Sequence, residues 1–153
     1  MIQRIQSVYL AVSSFLFAAM FFFPFITLTG VSAIYELKIM GINSITANDE
    51  SLVLQGIPLF VLLMVLAILP IIILFLFKKR VLQMRLIVFS MLLAIGFIIL
   101  IGFYAFVISD LDITGWTLNY PLIFPVVSII FLFMAYKAIK RDEDLIKSID
   151  RIR

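Results

Sequence analysis

Charged residues divide the chain into four long apolar runs: none falls within residues 5–35, 51–77, 86–109 or 113–136. Each run exceeds the roughly 20 residues that carry a helix across about 30 Å of hydrocarbon at 1.5 Å per residue. Trimming the polar flanks predicts membrane spans over 8–28, 57–77, 86–108 and 120–136, the last extending at its ends by several residues. An outer loop, 29–56, separates the first two spans, and a tail, 137–153, follows the fourth. Within the loop, Val31, Ala33, Tyr35, Leu37 and Ile39 alternate with Ser32, Ile34, Glu36, Lys38 and Met40, the period-two pattern of a strand. Residues 41–43 read as a turn, 52–55 as a returning strand after a turn over 48–50, and 113–118 as a third strand. In the tail, Leu145, Ile146, Ile149 and Ile152 form an apolar stripe. Lys140 with Asp144 and Glu143 with Lys147 make i,i+4 pairs, so the tail is expected to continue the fourth span as a helix. The predicted fold class is an all-α membrane protein. It is a single domain over 1–153, a four-transmembrane-helix bundle with a small β-structured extracytoplasmic loop and a cytoplasmic C-terminal helix.

Composition narrows the class. Of 153 residues, 65% are hydrophobic and 14% charged, whereas soluble domains run about 45–50% apolar and about 25% charged. The mean hydropathy is +1.25. So small a domain has a large surface to cover with polar groups, and this chain lacks them. A soluble enzyme, a disordered chain and a nucleic-acid-binding module are excluded. There is no Cys and no His, which removes thiolate chemistry, the commonest metal and haem ligands and the usual general base. No cofactor is expected. The first run is longer than the 7–15 residues of a signal-peptide core and reads as a retained span.

The signs of the charges set an orientation. Arg4, the bases from Lys78 to Arg85 and those from Lys137 onward put eleven of the twelve on one side, with only Lys38 opposite. With four acids that side nets +7; the other, with five acids, nets −4, which together make the chain's +3. The positive-inside rule places both termini in the cytoplasm. Tyr9 and Tyr136 near the inner ends, and Trp116 and Tyr120 near the outer end of span four, suit the head-group level. Basic clusters beside the membrane also attract anionic lipid, so membrane lipids are expected partners.

No Asp, Glu, Lys, Arg or His lies within the four spans. Ion-coupled transporters, proton relays and intramembrane proteases need such groups. Ser13, Ser14, Thr27, Ser90, Tyr104 and Ser128 remain, and their hydroxyls are read as structural. Ser7, Ala11, Ser14 and Ala18 share one helix face at spacings of four, three and four, and Ser90 with Ala94 forms a shorter version in span three. These are the predicted helix-packing interface, because small side chains let backbones approach closely in lipid. Pro58 and Pro121 fall in first turns, where a missing N–H costs nothing. Pro70 is expected to kink span two, and Pro24 to bend or end span one.

The N-terminal run from Met1 to Leu10, with Gln3, Arg4 and Gln6, and the C-terminal run from Ala138 to Arg153, with Asp142, Glu143, Ser148, Asp150 and Arg151, resemble the ends of a family of small four-span membrane proteins from bacteroidete-type bacteria. That family is known as a domain of unknown function. The resemblance covers the whole chain and implies a bacterial inner membrane, cytoplasmic termini and no assigned reaction. It draws attention to polar residues on one face of the membrane, Arg4, Asp142, Glu143 and Arg151 among them, with Arg4 pairing with a tail acid; with Ile146 and Ile149 of the apolar stripe, which can lie on lipid, pack under the bundle or meet a partner, they make the expected partner-contact set. In topology alone the chain is also similar to the claudin-like architecture, whose paired Cys and Trp loop motif it lacks.

The leading expectation is a non-enzymatic accessory or assembly subunit of a larger inner-membrane complex, contacting other integral membrane subunits. The second is a small channel or carrier for apolar or lipid substrates, using the Pro70 kink with Gly96 and Gly102. The orientation has a direct test. With no native Cys, a single Cys introduced near Asn48 should react with an impermeant thiol reagent from outside intact cells, and one near Arg80 should not; the reverse pattern inverts the topology.

Overall fold

The computed structural model describes residues 3–30, 34–45, 50–76, 79–108 and 113–150. Four long helices dominate: α1 (Gln3–Ala19), α2 (Ile57–Phe75), α3 (Arg80–Ile108) and α4 (Ile123–Asp150). Short 3-10 turns, Met20–Phe22 and Tyr120–Leu122, extend α1 and precede α4. All four helical stretches are long and apolar enough to cross a membrane. Helix α1 packs on α2 and α4, and α3 packs on the same two. The helices thus close into a ring in chain order, with α1 and α3 across its diagonal.

Each helix turns one stripe into the ring at spacings of three and four. On α1 and its 3-10 extension the stripe is Gln6, Leu10, Ser13, Ser14, Phe17 and Met20; on α3 it is Gln83, Ile87, Ser90, Ala94, Phe97, Ile101 and Tyr104. The outward surfaces are also apolar, with Phe15, Ile68, Leu92, Ile99 and Phe103 exposed. A helix that is apolar all round has the character of a membrane span.

The charge-free run read as a span over 8–28 divides in the structure. The helical turns stop at Phe22, and Ile26–Gly30 is a strand, β1. Pro24 has no N–H to continue a helix, and Ile26 and Leu28 alternate with Thr27 and Thr29, which suits a half-buried strand. Counting charges alone cannot distinguish these states. Strands β2 (Ile34–Lys38), β3 (Gly41–Ile45), β4 (Glu50–Gln55) and β5 (Ile113–Leu118) complete a five-stranded antiparallel sheet in the order β4-β3-β2-β1-β5. Residues 31–33, where the first strand was expected to start, and 48–49 of the expected turn lie outside the described residues.

A second correction concerns 41–43, read as a turn. The chain turns at Ile39 and Met40, and Gly41 opens β3. Gly41 has φ of 131°, and a Cβ there would lie 1.9 Å from the Leu54 carbonyl oxygen. Gly56 closes the same junction, donating its N–H to Met40 O at 2.7 Å. This joint feeds the sheet directly into α2. Helix α3 starts at Arg80 rather than at 86, because lysine and arginine are unwelcome in hydrocarbon but favourable in a helix. Helix α4 continues through the tail to Asp150.

One core runs from the sheet into the bundle. Phe25, Ile26, Leu28, Leu37 and Ile42 join the helical residues Met20, Leu59, Leu63 and Phe97 in a single cluster. Phe25 meets Phe97 edge-on at 6.0 Å between ring centroids. Gly41→Ala should disrupt the hairpin and lower stability by about 2 kcal/mol or more, since it adds a backbone clash to a strained φ. Thermal unfolding of the detergent-solubilised chain checks this, with Gly115→Ala, whose Cβ would meet nothing within 4 Å, as the tolerated control.

Candidate functional site

The end of the bundle away from the sheet holds a polar cleft of about 290 Å³. All four helices contribute: Gln6 and Ser7 from α1, Leu74 and Phe75 from α2, Arg80 and Gln83 from α3, and Ile139 and Asp142 from α4. Gln6, Gln83 and Asp142 are buried. Gln6 Nε2 donates to Asp142 Oδ2 at 2.5 Å, joining residues at opposite ends of the chain. Gln83 Nε2 donates to Ile73 O at 3.1 Å, a carbonyl near the end of α2 that also accepts the Leu76 N–H at 3.1 Å. Arg80 stands differently: its Nη1 is buried and takes no hydrogen-bond partner.

The sequence-derived site residues fall into two groups. In the partner-contact set, Asp142 is buried in the cleft beside Gln6, and Glu143 is half-buried next to it. The side chains of Arg4, Ile146 and Ile149, and all of Arg151, lie outside the described residues, so the Arg4 pairing does too. The N-terminal and C-terminal motifs therefore meet at one end of the bundle through Gln6. Arg80 was legible only as part of a basic flank, and Gln83 was not singled out; an amide set between Arg80 and Arg85 at the start of a long apolar helix was the available signal.

In the packing set, Ser90 and Ala94 are fully buried and Ser14 is buried. Ala11 is exposed, and Ser7 and Ala18 are half-buried. The stripe on α1 is thus offset from the face that packs, because Leu10 and Phe17 fill the centre of the ring. Ser14 Oγ reaches across to Ala67 O on α2 at 2.6 Å, whereas Ser90 Oγ bonds Leu86 O of its own helix at 3.0 Å. Span one and span three do not meet face to face on these residues, since α1 and α3 lie diagonally. A Cβ at Gly96 or Gly102 would meet nothing within 4 Å, so neither glycine serves close helix approach.

The sheet end offers a different surface. Register places Trp116 opposite Leu28 and Leu118 opposite Ile26, so these pairs share a face. Leu28 and Ile26 are 4% and 5% exposed, but Trp116 and Leu118 are 70% and 57% exposed. The apolar face of the sheet is thus uncovered along β5, which among the described residues is an edge strand of the sheet. Tyr120, 84% exposed, continues the patch.

Among the described residues no three His, Cys, Asp or Glu side chains come together. The cleft has one acid, one base and amides, which suits binding a polar group. Compared with known families, residues 2–152 match the model of a domain of unknown function, DUF4293. No curated protein and no solved structure matches the chain.

The Gln6–Asp142 bond is separately testable. Losing one partner of a buried charged hydrogen bond costs about 2 kcal/mol, more than losing both together implies. Gln6→Ala should therefore destabilise the chain, and a cycle with Asp142→Ala should show coupling of about 1 kcal/mol or more, read from unfolding in mixed micelles.

Proposed function

The chain belongs to the DUF4293 family, and from that premise we propose that it is a non-enzymatic, multi-pass protein of the bacterial inner membrane. It acts as an accessory or assembly subunit of a larger complex, with both termini in the cytoplasm and the sheet outside. The observation that carries this reading is the uncovered apolar face along β5. An apolar edge strand exposed along an unpaired edge invites pairing with another chain. Trp116, Leu118 and Tyr120 are the aromatic and apolar anchors typical of interface centres. A partner that adds an extended segment to this edge satisfies the free backbone groups and covers those side chains at once.

The helices support the same reading. Their buried polar groups tie elements together: Ser14 to α2, Gln83 to the end of α2, and Tyr104 Oη to Gln55 O at 3.1 Å. The second reading, a channel or carrier, is weakened by the ring's centre, where Phe17, Leu63, Phe97 and Leu132 are fully buried.

A photoreactive residue at position 116 in native membranes should cross-link to one integral membrane protein that also co-purifies after gentle solubilisation. Trp116→Lys should reduce that recovery at least tenfold without changing the level of the chain in the membrane. Cross-linking to lipid alone, with a freely monomeric chain, defeats the proposal.

A further inference from the structure

Arg80 and Asp142 line the same cleft, yet no ion pair joins them among the described residues. A guanidinium N–H held out of water without an acceptor is costly. Arg80 Nη1 is in that position. Asp142 is 9% exposed, and the Gln6 amide donates to its Oδ2. Two opposite charges that share a cavity without neutralising each other form a site for a ligand that carries both. We propose that the cleft binds a phospholipid headgroup bearing a primary ammonium beside its phosphate, as in phosphatidylethanolamine.

The roles follow from the chemistry. Arg80 is the first residue of the long helix α3, so its guanidinium and the positive helix terminus act together on the phosphate. The ammonium sits at the Asp142 carboxylate, whose position Gln6 holds. The cleft, about 290 Å³, is roughly ten times the ~30 Å³ share of one water, which gives room for such a headgroup. Leu74, Phe75 and Ile139 supply an apolar wall for the glycerol and the start of the acyl chains. A headgroup with phosphate and no ammonium would face a buried carboxylate without compensation. A shallower groove beside Lys137, Arg141 and Tyr9 has the character of a general anionic-lipid contact. Lys137 there already lies over the Phe133 ring at 4.9 Å.

The proposal rests on the chain being a membrane protein but not on its orientation. The full chain, purified in detergent, is titrated with phosphatidylethanolamine, phosphatidylglycerol, phosphatidylcholine and inorganic phosphate, and bound lipid is counted by native mass spectrometry. Phosphatidylethanolamine should bind tightest. Phosphatidylcholine, whose trimethylated ammonium donates no N–H, should bind several-fold more weakly. Arg80→Gln should weaken phosphatidylethanolamine at least tenfold. Asp142→Asn should abolish the preference for it over phosphatidylglycerol. The Lys137→Gln/Arg141→Gln double variant should leave that preference intact. Should Asp142→Asn fail to fold, the Arg80→Gln loss and the wild-type ranking of the three lipids decide. Equal binding of all three lipids, no effect of Arg80→Gln, or displacement of lipid by millimolar inorganic phosphate overturns the proposal; the last would make the site one for a free anion. Failure of the chain to partition into membranes, or reversed Cys labelling near Asn48, would instead defeat the localisation or the orientation proposed above, and is read separately.

Discussion

In an apolar medium a backbone amide or carbonyl without a partner costs several kcal/mol, and a helix leaves four of each at its ends. The hydrogen bonds at the helix ends hold this chain's elements together. Gln83 pairs a carbonyl near the end of α2. Tyr104, near the end of α3, bonds β4. Asn119 reaches back to the Pro24 carbonyl at 3.3 Å and to Thr27 Oγ1 at 3.0 Å, and Phe25 N donates to Leu37 O at 2.8 Å. Side chains near the helix ends thus dock the sheet on the bundle and join consecutive helices.

The mid-level of the bundle depends on packing. Only small hydroxyls interrupt its apolar interior, and their contributions are modest: cross-helix bonds of the Ser14 to Ala67 kind are worth about 0.6 kcal/mol. Shape complementarity among Leu10, Phe17, Leu63, Phe97 and Leu132 carries the rest. Polar character is concentrated at the two ends, in the cleft around Arg80 and Asp142 and in the sheet. The side walls, by contrast, are apolar and alike.

The two ends differ in what was legible in the sequence. Asp142 and Gln6 stood out as polar residues in terminal motifs, and the structure brings them together. Arg80 lay in a basic cluster, where each residue had the same reading as a topology signal. Nothing local separates it from Lys79. Its distinction is a position against α1 and α4, which are far away in the chain. Ala11 shows the converse: the small-residue stripe is offset from the face that α1 turns into this bundle, because that face is decided by where Leu10 and Phe17 fit.

The sequence by itself determined the four apolar helices, the continuation of the last into the tail and the presence of strands in the loops. These follow from local hydrophobicity and period. Only the tertiary structure decided that residues 26–30 leave the first apolar run to become the fourth strand in sheet order, paired on both sides. It alone decided that Gly41 opens a strand, that the helices close into a ring with α1 opposite α3, and that Arg80 and Asp142 share a cavity unpaired. Strand pairing, ring closure and shared cavities join residues up to 136 positions apart, and their energies depend on contacts that no local window contains.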